Sequence, residues 1–269
     1  LKYIILCSML LLTISSALAK SPPNSMEVAT KQYTRYSIER LKNAEELLER
    51  LSRKLEAGRY KTVKEDYIKA HYQYESARPL VLLTPGLNNL VDTHIEQLPK
   101  DTQSLGFVGF HAIEYALFVQ PDPVRAFVET QKLLSNLRFV INMMQQQNIT
   151  PQDMLAILPV FTHQILTHKL PGYDSSYSGS GLGEVAANLE GIRLIINQTQ
   201  NFIPPSLIAD INQTEDRIYA ILDTYLFEDI YQPYANLKDS DKTLIHQEVQ
   251  RLSELLIQVN EQISSQLTE

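Results

Sequence analysis

His111 and Glu114 stand three residues apart in an otherwise apolar stretch, GFVGFHAIEYALF over 106–118. Three helical steps turn about 300°, which leaves the two side chains about 60° apart and one turn along, on a shared face. An imidazole and a carboxylate placed so supply two ligands for a borderline or hard cation, or a hydrogen-bonded His–Glu pair. The spacing fits both. A zinc peptidase of the HExxH type needs a second histidine, and the inverted H-x-x-E-H form needs one directly after the glutamate. Tyr115 stands there instead. A second set lies in AHYQYESARP over 70–79, where His71, Tyr74, Glu75 and Arg78 are spaced three and four apart. One helix face thereby presents imidazole, carboxylate and guanidinium, either as a ligand face or as a solvated salt-bridged one. Asp92 and His94 follow in LVDTHIE, and His163, His168 and His246 read as ordinary surface or core residues.

Helices must position these groups. From residue 26 to about 55 apolar residues recur at helical spacing (Leu41, Ala44, Leu47, Leu48, Leu51, Leu55), with Ser25 as a cap and Gly58 as the stop. Further helices are expected over 62–82, 87–97, 109–119, 124–147, 151–168, 183–200, 205–227 and 239–267. No segment alternates with period two over a useful length. The 9 glycines and 13 prolines make up about 8% of the chain, against about 12% in average usage, so turns are sparse. The expectation is an all-α fold of two packed antiparallel helical bundles, about 26–120 and 124–269, dividing near Pro121–Pro123. No fixed-period repeat points to a solenoid. The longest irregular stretch, PGYDSSYSGSGLG over 171–183, holds four of the nine glycines and reads as a linker or as a lid over a site.

A net charge of −7, with 24 basic residues dispersed along the chain, provides no cationic stripe for nucleic acid. Residues 1–19 combine Lys2, an apolar run over 3–12 and the small-residue stretch Ser15-Ser16-Ala17-Leu18-Ala19, the layout of a secretory signal peptide cleaved after Ala19. Residues 20–269 would then form an exported, periplasmic or otherwise extracytoplasmic domain. Cys7, the sole cysteine, lies in the leader behind bulky Ile5-Leu6, a poor context for lipidation. Cleavage leaves no thiolate, so any metal falls to His, Asp, Glu or Tyr.

GFHAIEYALF resembles the GxHxxE signature of the imelysin-like family, carried here by Gly109, His111 and Glu114. The order of features around it resembles the EfeO-type iron-uptake branch: Tyr74-Glu75, then Asp92, then the signature, then Tyr177-Ser178 and Asn188-Leu189-Glu190-Gly191. The likeness spans roughly 30–200, the last two helices matching in pattern only. It implies an all-helical fold of two bundles, export, and a metal site in the cleft between them, with Glu75, Asp92, His111 and Glu114 as ligands. The cargo it implies is a divalent or trivalent metal ion, iron foremost with zinc or manganese as alternatives, delivered to a membrane iron transporter. Two departures stand out. Arg78 replaces a second glutamate common in that branch, which removes a ligand and offers a contact to an anionic chelate. Small residues (Gly179, Ser180, Gly181, Gly183) occupy a loop that in the branch carries His, Asp and aromatic groups. Two other functions fit the residues: a metallopeptidase-like hydrolase of the imelysin family with Glu75 or Asp92 as base, and a non-catalytic interaction module with a structural His–Glu pair. An unperturbed imidazole at His111 would make metal affinity fall below about pH 6.

Overall fold

A computed structural model describes residues 25–94 and 106–268. The expected signal peptide, and the part of the third helix past residue 94, lie outside the described residues. Ser25 accepts the Val28 N–H at 3.3 Å and opens α1, Met26–Glu56. Leu41, Ala44, Leu48 and Leu51 of its apolar stripe are fully buried, and Leu47 packs against the core half-buried. α2 follows as Val63–Leu82, and a short α3, Leu87–Val91, ends at Asp92. α4, Phe110–Glu114, widens directly into a π turn over Tyr115–Val119. The expected single helix over 109–119 is therefore two kinds of turn, the wider one carrying an extra residue, a form that recurs near functional sites.

Asp122 caps α5, Pro123–Gln146, by accepting the Val124 and Arg125 N–H groups at 3.0 Å, with Pro123 at the first helical position. A reciprocal Thr150–Asp153 capping box starts α6, Pro151–Gln164, which also ends in a π turn, Ile165–Lys169. α7 is Gly181–Thr199 and α8 is Pro205–Leu222. A two-stranded hairpin pairs β1, Leu226–Phe227, with β2, Ile230–Tyr231, and α9, Asp239–Thr268, closes the fold. The fold is all-α, as the periodicity requires.

Helix packing crosses the Pro121–Pro123 segment. α1 lies against α2, α5 and α7, and α2 lies against α7, so one group draws helices from both sides of those prolines. α9 packs on α6 and α8 as a second group, and one continuous apolar core runs through both. The contact between α2 and α7 is unusually close, because Gly191 sits over the Ser76 carbonyl: a Cβ there would approach its oxygen to 2.5 Å. That closeness lets short side chains on α7 reach the polar face of α2.

Candidate metal centre

The polar face of α2 is almost wholly interior. His71 and Glu75 have no exposed surface, and the Arg78 side chain is 12% exposed. Asp92 leaves the end of α3 and forms an isolated antiparallel backbone bridge with Gly109, which sets the start of α4 beside it. His111 and Glu114 are thus delivered to the same interior point. Lys169, at the end of the π turn after α6, and Asp174, Ser175, Ser178 and Ser180 from the following loop close one side, and Glu184 and Asn188 of α7 close another.

Around Asp92 the contacts are dense. Its Oδ1 lies 3.2 Å from His111 Nε2 and 3.5 Å from His71 Nε2, and its Oδ2 lies 3.2 Å from an Arg78 terminal nitrogen. His111 Nδ1 donates to Glu114 Oε2 at 2.9 Å, while Glu114 Oε1 accepts both the backbone N–H and the hydroxyl of Ser178 at 2.7 Å. His94 reaches Asp174 Oδ1 at 2.6 Å, with its ring 3.9 Å from the His111 ring. Glu75 is held by Arg78 at 3.1 Å, by the Asn188 amide at 2.6 Å and by Lys169 at 3.0 Å. Lys169 also pairs with Asp174 and, at 2.8 Å, with Glu184.

Five carboxylates (Glu75, Asp92, Glu114, Asp174, Glu184) face two permanent cations, Arg78 and Lys169, a formal excess of three negative charges in a buried space. The histidines answer to it. Burial alone would lower His111, but Asp92 and Glu114 overcome that and raise it to about 9. Burial opposes protonation of His71 too, and Glu184 above all pushes it well up. His94, desolvated and beside His111, falls to about 4 and keeps a free lone pair at neutral pH. Against its own desolvation, Glu75 is held down to about 2 by Arg78 and Lys169. Asp92 is likewise lowered by Arg78 and His111, and Glu184 by Lys169 and His71.

Three sets of ligand atoms lie close enough to share an ion: Asp92, His94 and His111; His71, Glu75 and Asp92; and Glu75, Asp174 and Glu184. Of the four residues expected as ligands, Asp92 and His111 touch, Glu114 reaches His111 from its far nitrogen, and Glu75 meets Asp92 through His71 and Arg78. Arg78 is engaged by Glu75, Asp92 and the Asn88 amide oxygen, as a counter-ion within the cluster. The imelysin family model matches residues 29–259.

The chain belongs to the imelysin family.

It is 24% identical to the Efem/EfeO family lipoprotein of Staphylococcus haemolyticus (strain JCSC1435), across 86% of this chain and 82% of that relative. It is 22% identical to the iron uptake system component EfeM of Pseudomonas syringae pv. syringae (strain B728a), across 91% of this chain and 87% of that relative. The resemblance read from GFHAIEYALF and its flanking features thus agrees with both the family and the names of its relatives.

In this imelysin, His111 Nε2 and both Asp92 oxygens are buried and, despite their closeness, out of line for any hydrogen bond among the described residues. A void of about 20 Å³, room for one water or one ion, is bounded by His94, His111, Asp174 and Tyr177 among others. A larger cavity of about 300 Å³ opens beside it, between Arg78, His94, His168, Lys169 and Asp174. No described helix is long and apolar enough to cross a membrane.

His71 shares the expected face with Glu75 and Arg78, whereas nothing in the spacing of His94 gives it a role. Glu184 and Asn188, four apart on a small-residue helix, carry a faint signal of the same kind as His71 and Glu75. Asp174 carries none, since it lies in the Ser/Gly-rich loop. That loop is no plain linker: Asp174, Ser175 and Ser180 are buried in the cluster.

Proposed function

We propose that the chain is an extracytoplasmic iron-binding protein that takes part in iron uptake. The observation that carries this reading is the orphaned pair at its centre, His111 Nε2 and the Asp92 carboxylate, 3.2 Å apart without hydrogen bonding. Buried polar groups left unpaired call for a partner, and an imidazole nitrogen and a carboxylate at this separation suit two ligands of one ion that takes the place of the His111 proton. Asp92, His94 and His111 are the primary ligands, with Asp174 Oδ1, 4.0 Å from His111 Nε2, within reach as a fourth. Glu114 acts from behind: by taking the Nδ1 proton it directs the Nε2 lone pair at the ion, the usual outer-shell role of a carboxylate on a ligating histidine. Glu75 and Arg78 set the charge on the far side of Asp92.

An oxygen and nitrogen donor set without sulfur accepts ferrous, ferric, manganese and zinc ions alike. The preference for iron rests on the name of the Pseudomonas syringae relative, an iron uptake system component, and delivery to a membrane transporter is the step such a role would require. The lipoprotein relatives and the secretory layout of residues 1–19 support a location outside the cytoplasm, with a mature chain beginning at Lys20. Calorimetric titration with each of the four ions tests the reading. One ion per chain is expected, bound at least tenfold more weakly by His111→Ala and by Asp92→Asn. Unchanged affinity in both variants overturns it.

A further inference from the structure

Lys169 is only 2% exposed, and its ammonium lies among Glu75 at 3.0 Å, Glu184 at 2.8 Å and Asp174. The ligand atoms of those three carboxylates lie within 4.8 Å of one another. A second buried group points the same way: His71 Nδ1, fully enclosed and without a hydrogen-bond partner, is 3.2 Å from Glu184 Oε1. Three carboxylates around one point, with the His71 ring nitrogen against one of them, form a donor set for a metal ion, yet the position holds an ammonium at hydrogen-bonding distances.

We propose that Glu75, Asp174 and Glu184, with His71, form a second cation site whose resident cation is the Lys169 side chain, so that the chain takes one metal ion where its carboxylates could hold two. Asp174 joins the two positions, its Oδ1 facing His94 and His111 and its Oδ2 facing Lys169 and Arg78. A carboxylate shared between two cation positions is an arrangement suited to a dinuclear centre. Here the second position is closed by a tethered charge. Three buried carboxylates without a cation would be costly, and the ammonium meets that cost with three N–H donors at no loss of translational freedom, being part of the chain. An incoming ion must displace a group that cannot diffuse away. The π turn over Ile165–Lys169 places Lys169 at this point.

Asp174 is shared with the proposed iron site, so the second position is tested through Lys169 and Glu184, neither of them a proposed iron ligand, by counting bound manganese per chain. The native protein should bind one ion and Lys169→Ala two, and Lys169→Ala combined with Glu184→Gln should return to one. Metal-free Lys169→Ala should melt at a lower temperature than the native chain and recover when manganese is added. In the native background Glu184→Gln should change manganese affinity by no more than about twofold, since that carboxylate serves the lysine rather than the ion. A folded Lys169→Ala with an unchanged count overturns the proposal, as does a tenfold loss in Glu184→Gln. If the native chain binds none and Lys169→Ala binds one, the iron reading fails and the second site stands. If each binds one, the reverse holds.

Discussion

Asp92 and Gly109 are joined by an antiparallel backbone bridge, and nothing larger than glycine fits at the second of them. Gly109 has a φ of 90°, and a Cβ on it would lie 2.1 Å from the Val91 carbonyl oxygen. The close approach sets the end of α3, at Asp92, against the start of the helix that bears His111, so the 3.2 Å contact between the two side chains follows from a backbone requirement two residues before the histidine. Gly109→Ala is expected to separate them. Strain at such a φ costs about 1–3 kcal/mol, and the clash adds to it. Thermal melting should register the lost stability and metal titration a loss of affinity beyond tenfold. Native affinity in a folded Gly109→Ala protein would contradict the assignment.

Removing the support behind His111 should weaken metal binding in graded steps. Glu114→Gln leaves the imidazole in place but weakens its orientation, and changes of this kind cost roughly 10–100-fold in metal affinity. Ser178→Ala should cost less than tenfold, because the Ser178 backbone N–H still donates to Glu114 at 2.7 Å. Calorimetric titration of the two variants beside His111→Ala checks the order; an equal loss for Ser178→Ala and His111→Ala would mean that the serine hydroxyl itself is a ligand.

The pH dependence has a definite sign. His111 is raised from 6.5 to about 9 in the metal-free fold, so its protonation contributes stability that is fully present below pH 6.5 and is lost as pH rises through 9. That contribution is on the order of 3 kcal/mol. A metal ion needs the lone pair the proton occupies, so affinity should climb between pH 6.5 and 9, approaching tenfold per unit from His111 alone, and level off above. The window lies higher than the pH 6 expected from an unperturbed imidazole, because Asp92 and Glu114 outweigh the effect of burial. Glu75, depressed from 4.5 to about 2, works in the opposite sense: its contribution is present above pH 4.5 and is lost as pH falls through 2. Titrations at pH 6, 7, 8 and 9 in buffers of different ionisation enthalpy measure both affinity and proton release. Constant affinity with no proton release would contradict the scheme.

Gly191→Ala tests how the helices are set. The new methyl would meet the Ser76 carbonyl oxygen at 2.5 Å and push α7 from α2. Overpacking of this kind costs about 1–3 kcal/mol, readable as a shift of the urea midpoint. Because Asn188 bonds Glu75 across the same contact at 2.6 Å, a modest loss of metal affinity should accompany it.

The sequence alone determined the all-α class and the long helices, though not the π turns, because Leu41, Ala44, Leu48 and Leu51 repeat at the helical period, and Asp122–Pro123 and Thr150–Pro151 hold cap chemistry that needs no distant partner. It likewise determined that His111 and Glu114 share a face and that Glu75 and Arg78 do, since spacing along one helix fixes such relations. Tertiary structure decided which faces meet. The approach of α7 to α2 brings Glu184 and Asn188 to His71 and Glu75 across more than a hundred residues of chain, and the loop after the π turn buries Asp174, a residue with no periodicity to mark it. Lys169 is the clearest case. In sequence it is a lysine at the end of a helix, where a surface position is the ordinary expectation; only the burial of Glu75, Asp174 and Glu184 around it makes it the counter-charge of the interior. Helical period is a property of neighbours in the chain, whereas a charge balance in a buried space depends on every element that encloses it.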